Sequence, residues 1–188
     1  MKLYIMRHGP AEDHSVSGRD EDRELTPAGR ARTTAVAQAL LHDGEAPYAI
    51  VSSPLIRALQ TAQIVASETN LADRVKESPN ALRSGATGAI EIRAELGTSG
   101  RPLSMVCDLV RQGRKRIMIV GHEPTLSQLL FDLVGMDGVG QAFGFDKSMV
   151  VGLTLREVAR AHAGALSAHL SARLRFVLDP KALRWFRP

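Results

Sequence analysis

Two histidines and two arginines occupy comparable places along this chain. Arg7-His8-Gly9 follows the apolar run Leu3-Tyr4-Ile5-Met6, Arg57 closes the segment Ser52-Ser53-Pro54-Leu55-Ile56-Arg57, and His122 lies in Gly121-His122-Glu123-Pro124 after Arg116-Ile117-Met118-Ile119-Val120. These residue types are complementary towards a phosphoryl group. A guanidinium grips phosphate oxygens with a planar fork. A neutral imidazole can attack phosphorus, and a second imidazole can donate to the oxygens that gather charge. Gly9 offers a place where backbone can approach a phosphate closely. Glu123, beside His122, joins the candidate substrate-binding set. The combination offers no natural metal site, because arginine repels a divalent cation where a metal would want a carboxylate. No cofactor is expected.

Such a group must be positioned by alternating elements. Residues 3–6 and 116–120 are continuous apolar runs, the pattern of strands buried on both faces, and 48–52 is a third. Thr26-Pro27 marks a helix start, with a capping side chain before a first-turn proline, and that helix runs to Gly44. Ser53-Pro54 ends the second strand and caps a helix through Ala58, Thr61, Ala62 and Val65. Further helices are expected over 86–96, 103–111 and 124–134. A weak strand is expected over 74–77, a clear one over 148–155 and a last one over 173–178. The Ala-rich stretch 157–172 reads as a helix by propensity, but Gly164 and the flanking strands also allow a hairpin. Residues 13–24 are polar loop. The sum is a single α/β domain over 1–188, with a mostly parallel sheet between helical layers. Ligands in such folds sit beyond the carboxyl ends of the strands, where the Arg and His segments fall.

Composition narrows the class. The chain has 188 residues, 44% hydrophobic, with a net charge of +4. A domain of this size buries enough surface to need no disulfide, and Cys107 is its single cysteine, as suits a reducing compartment. The basic residues are scattered and aromatics make up only 4%, so neither nucleic acid nor a membrane surface is expected as a partner. The first apolar run is too short for a signal-peptide core, and no stretch is long enough to cross a bilayer. A cytoplasmic protein is expected.

The motifs also resemble a family. Ile5-Met6-Arg7-His8-Gly9, Leu25-Thr26-Pro27-Ala28-Gly29, Ser52-Ser53-Pro54 through Arg57 with Gln60-Thr61-Ala62, and Gly121-His122-Glu123-Pro124 are similar, in order, to segments of the histidine phosphatase (phosphoglycerate mutase-like) superfamily. Leu178-Asp179-Pro180-Lys181-Ala182-Leu183 resembles an ending found in its small bacterial members. The compact size and the Gly-His-Glu-Pro form are most similar to the SixA-type phosphohistidine phosphatases. The resemblance implies a three-layer α/β/α sandwich without a metal. It makes His8 the nucleophile, Arg7 and Arg57 phosphate clamps, and His122 the second pocket histidine.

One departure separates the branches. Mutase and phosphomonoesterase relatives commonly carry a glutamate general acid after the third strand. Here Ser78-Pro79-Asn80-Ala81-Leu82-Arg83-Ser84-Gly85-Ala86-Thr87 has no carboxylate. An alkoxide leaving group needs protonation, whereas imidazole leaves far more readily. The first reading is therefore a phosphohistidine phosphatase acting on a phosphorylated signalling or phosphotransfer protein. A phosphatase of small phosphorylated substrates, or a mutase-like enzyme, is the second. A catalytically silent phosphate- or phosphoprotein-binding module is the third, and the intact set of four pocket residues argues against it. Glu123, Asp13, Asp20 and Asp22 are fallback acids, and His14 lies in the loop near the pocket. The sequence leaves the oligomeric state open.

Overall fold

Leu3, Tyr4, Ile5 and Met6 expose none of their surface, and Ile117, Met118, Ile119 and Val120 almost none. Strands buried on both faces belong at the centre of a sheet. In the computed structural model, which describes residues 1–76, 89–135, 143–162 and 165–188, they lie side by side there. The chain runs β1 (Lys2–Arg7), α1 (Pro27–His42), β2 (Ala49–Ser52), α2 (Ile56–Glu68), α3 (Leu71–Lys76), β3 (Ile90–Ile92), α4 (Leu103–Arg111), β4 (Arg116–Gly121), α5 (Thr125–Val134), β5 (Val150–His162), β6 (Ala165–Leu178) and β7 (Trp185–Phe186). Short 3-10 turns occupy Asp20–Asp22 and Ala94–Leu96.

The seven strands form one sheet in the order β3-β2-β4-β1-β5-β6-β7. Its β3-β2-β4-β1 half is parallel and its β5-β6-β7 half is antiparallel, so the parallel character is confined to the part that carries the site. The β1-α1-β2 and β2-α2-β3 crossovers step towards one edge, and β3-α4-β4 steps back. With right-handed connections, that reversal puts α1 and α2 on one face and α4 on the other. Packing agrees: α1 lies against α2, while α5 lies against α4 and β6. The result is the α/β/α layering expected from the sequence.

Several elements differ from the sequence reading. Residues 74–76, expected as strand, finish α3, whose Leu71 and Val75 are buried one helical turn apart. Glu77 of that expected strand, residues 86–88 of the expected helix and the acid-free segment 78–87 lie outside the described residues. The rest of the expected helix is β3 and a 3-10 turn. Ile90 and Ile92 pair with Ile50 and Ser52, so β-branched residues beside an available edge prevailed over helical propensity. The stretch 157–172 took the hairpin alternative, with β5 and β6 paired from Val150↔Leu178 to His162↔Ala165. β7 gave no sequence signal; Trp185 is held there by edge packing on Phe176, their ring centroids 4.7 Å apart.

The first helix is placed by contact as much as by its cap. Thr26 Oγ1 accepts the Gly29 N–H at 2.9 Å, as its cap position requires. A Cβ on Gly29 would sit 1.9 Å from the Pro10 carbonyl oxygen, and one on Gly9 would sit 2.6 Å from Thr33 Oγ1. These two glycines let α1 lie directly against the end of β1. Among the described residues, no helix is long and apolar enough to cross a membrane.

Candidate active site

Strand register brings the two histidines together. Arg7 of β1 is the pairing partner of Gly121 of β4, so His8 and His122 emerge side by side where the strands end. The His8 N–H donates to the Gly121 carbonyl at 3.1 Å, and the Ser53 N–H donates to Val120 O at 3.0 Å. Three strand ends are thereby stitched into one rim. The imidazole centroids lie 5.0 Å apart with the rings tilted at 48°. Both histidines are buried, at 5% and 2% exposure.

The hydrogen bonds define which nitrogen is free. His8 Nδ1 lies 2.7 Å from the Gly9 carbonyl. A carbonyl only accepts, so Nδ1 carries the proton and Nε2 carries the lone pair. His122 Nε2 lies 2.8 Å from Ser53 Oγ, and that oxygen also accepts the Leu55 N–H at 3.3 Å. With the Ser53 hydroxyl donating to Nε2, the His122 proton sits on Nδ1; this is the tautomer that presents an N–H to an oxyanion. Ser53, expected to cap the helix after β2, thus orients His122 instead; α2 begins at Ile56 without a side-chain cap.

The arginines come from different elements. Arg7 ends β1, and its Nη1 donates to the Phe145 carbonyl. Arg57 lies in the first turn of α2 and is only 2% exposed. Its Nη1 donates to the Asp20 carbonyl at 2.7 Å and its Nη2 to Asp20 Oδ2 at 2.9 Å. Thr61, one turn along α2, donates to Arg57 O and accepts the Gly9 N–H at 3.0 Å, tying α2 to the end of β1. The Gly9 amide is therefore engaged by Thr61, and Gly9 reaches the site through its carbonyl on His8. Glu123 Oε1 accepts the Phe145 N–H at 3.0 Å, so Glu123 and Arg7 hold the Phe145 backbone at its N–H and its carbonyl respectively. His14 is exposed in the loop before Asp20.

Three buried nitrogens around His8 have no hydrogen-bond partner among the described residues: Arg7 Nε, Arg57 Nε and His122 Nδ1. Buried donors are satisfied in folded proteins almost without exception, so a cluster of orphans marks a place where a ligand's acceptors belong. Three N–H donors, two of them cationic, beside an imidazole lone pair suit an oxyanion. Sequence reasoning did not find Ser53, Thr61 or the Phe145 peptide as supports, although Ser53 and Thr61 stand inside the motif segments.

Electrostatics keep both rings neutral. Burial pushes the His8 imidazole down to about 3, helped by His122, Arg57 and Arg7 and opposed by the Gly9 carbonyl. Burial, and then the Arg57 guanidinium, pushes His122 down to about 4. A neutral imidazole is the form that can attack. In the unfolded chain each ring takes up its proton near pH 6.5. Stability from these groups is therefore fully present above about pH 6.5 and is lost as pH falls towards 4 and 3. Each ring contributes a slope of up to about 1.4 kcal/mol per pH unit within that window. Nitrogen-detected NMR of the imidazoles in the ligand-free protein is expected to find both neutral at pH 5.5. A titration midpoint near 6.5 for either ring would contradict the buried arrangement.

Comparisons with known proteins agree with this geometry. The profile of the histidine phosphatase superfamily (branch 1) matches residues 3–95. An uncharacterized protein of Picosynechococcus sp. is 30% identical over 188 residues, all of both chains. The protein histidine phosphatase SixA, solved with tungstate, superposes with a TM-score of 0.74 at 22% identity, covering 98% of this chain and 100% of that one. A mycobacterial glucosyl-3-phosphoglycerate phosphatase in complex with VO3 superposes with a TM-score of 0.60 at 18% identity, over 92% of this chain and 96% of that one. The chain belongs to the histidine phosphatase superfamily, and its fold is that of the SixA phosphatases.

Proposed function

We propose that this protein is a phosphatase that takes a phosphoryl group onto His8 Nε2 and passes it to water, and that its substrate is a phosphohistidine of a signalling or phosphotransfer protein. The observation that carries the reading is the set of three orphaned, buried N–H donors around an imidazole whose tautomer is set by the Gly9 carbonyl. Arg7, Arg57 and His122 hold the phosphoryl oxygens while His8 Nε2 forms a bond to phosphorus. The bond from phosphorus to the leaving imidazole breaks, and that imidazole takes the electron pair and a proton from solvent. Water then attacks phospho-His8, releasing inorganic phosphate and the free His8 lone pair. The same donors face the charge that develops in both steps, which is where fixed dipoles help most.

Two features support phosphohistidine over a phosphomonoester. Segment 78–87 supplies no carboxylic acid for an alkoxide, and imidazole is a far better leaving group. SixA, similar in fold over nearly the whole chain, is described as a protein histidine phosphatase. A panel of phosphohistidine peptides, sugar phosphates and phosphoglycerate, assayed in EDTA, tests the assignment. The phosphohistidine peptide is expected to lead in kcat/KM by on the order of tenfold or more, because the esters lack an acid for their leaving group. A lead for any phosphomonoester would move the protein to the small-substrate branch, and activity only after adding a metal back would remove the metal-free mechanism.

A further inference from the structure

Arg57 is not empty in the ligand-free protein. Both terminal nitrogens of its fork are engaged by Asp20, one on the backbone carbonyl and one on the carboxylate. The second carboxylate oxygen, Oδ1, accepts from Arg23 Nε at 2.8 Å, so Asp20 bridges two guanidiniums. Arg23 is itself held by the Glu12 carbonyl at 3.0 Å. The two ends of the Asp20–Arg57 pair differ sharply in surroundings: Arg57 is 2% exposed and Asp20 is 60% exposed. Burial tends to raise the Asp20 carboxyl, but the hydrogen bonds from Arg57 and Arg23 outweigh it and hold the group below its ordinary value, as a carboxylate.

A phosphoryl group needs the same nitrogens. Its oxygens can reach Arg57 through the orphaned Nε alone, or through Nε and Nη2 together in the bidentate fork that guanidinium prefers. The second mode requires the Asp20 carboxylate to leave. Leaving is inexpensive for a side chain already mostly in water and still tethered to Arg23. It is also driven by repulsion between the carboxylate and an incoming dianion.

We propose that Asp20 is the resident anion of the Arg57 clamp, exchanged for the substrate phosphoryl group, and that once displaced it selects against substrates bearing a second negative charge close to phosphorus. The proposal rests on the reading of Arg57 as a phosphoryl clamp and refines the substrate class of that same site. Displaced but held by Arg23, the carboxylate stands at the mouth, where the carrier of the phosphoryl group must lie. A neutral or protonated imidazole carrier is accepted there. A glycerate, with a carboxylate of its own, is repelled. The surrounding loop adds to this: residues 12–24 contain six carboxylates and two arginines, in a chain whose net charge is +4. The loop therefore reverses the sign of the protein's charge on this side of the site, which favours a phosphorylated carrier flanked by basic groups.

Asp20→Asn and Asp20→Ala separate exchange from mere support. Asparagine keeps an oxygen for the loop contacts and removes the charge; alanine removes both. Tungstate binding by calorimetry is expected to be about tenfold tighter in both variants, the scale of one unit charge a few ångströms away in a partly solvated site. The ratio of kcat/KM for 3-phosphoglycerate to that for a phosphohistidine peptide is expected to rise by a similar factor of about ten. Tungstate affinity unchanged or weakened in both variants would overturn the exchange, leaving Asp20 as a support for Arg57. An unmoved substrate ratio would overturn the selection. Arg57→Ala is the reference for the underlying reading: if it binds tungstate as well as the unaltered protein does, the clamp itself is wrong. Tighter tungstate binding in a protein that cleaves no phosphohistidine would instead uphold the exchange and discard the substrate assignment.

Discussion

His8→Ala is expected to remove the phosphoenzyme entirely and to lower kcat on the order of 10⁴–10⁶-fold, the scale on which loss of a covalent nucleophile is felt in other enzymes. Among the described residues, no other buried group near the site has a lone pair presented as His8 Nε2 is. His122 is the nearest candidate, but its Nε2 is engaged by Ser53, and with the Ser53 hydroxyl donating there its Nδ1 carries the proton. The check is rapid quenching with a radiolabelled phosphohistidine substrate. The label on the unaltered protein is expected to be lost in acid and retained in alkali, as for a P–N bond. Label accumulating on the His8→Ala protein would mean that another residue attacks. Alanine also removes a buried ring, so the comparison is made at a temperature where both proteins are folded by circular dichroism.

Arg57→Ala is expected to behave differently. It leaves the nucleophile in place and removes one cationic donor, a change that costs on the order of 10²–10³ in rate when a single such group is lost from a preorganised site. The phosphoenzyme is still expected to form, but slowly, and that separates the two residues in kind as well as degree. Arg57→Lys is expected to recover only part of the loss, because an ammonium restores the charge without the planar fork. Full recovery with lysine would show that Arg57 acts as a point charge. Arg57 is almost wholly buried and is tied to the Asp20–Asp22 turn, so its truncation also frees the loop over the site. Loop release would weaken substrate binding, and so raise KM; loss of charge stabilisation lowers kcat. Measuring both keeps the contributions apart.

Much of the framework is legible in local pattern. The runs at 3–6 and 117–120 are apolar without interruption because those strands are covered on both faces, and burying them there keeps them from water. Thr26-Pro27 marks the start of α1 because the cap and the first-turn proline act on neighbouring backbone groups. The chain positions of Arg7 and His8 at the end of one strand, of His122 just past another, and of Arg57 in the segment that follows a third, come from the same reading.

What only the tertiary structure decided are the matters that depend on a distant partner. That the imidazoles stand 5.0 Å apart follows from the register Arg7↔Gly121, a one-to-one choice between residues more than a hundred positions apart. β3 and β7 are short strands that exist because a sheet edge was available to each, and neither carries enough apolar pattern to announce itself. The hairpin of β5 and β6 prevailed over an Ala-rich helical propensity because its first residues were already committed to the core beside β1. Asp20 was one acid among several in a polar loop. Its place on Arg57 came from the way that loop folds back over α2, anchored by the Ala11↔Leu25 bridge and by the Gln60 side chain on the Leu25 N–H. Local sequence thus determined which residues end each strand, since propensity and burial act over a few neighbours. Pairing across the sheet and closure of the loop decided which of those residues meet, because hydrogen bonds and charge reward contact between groups that the chain itself keeps far apart.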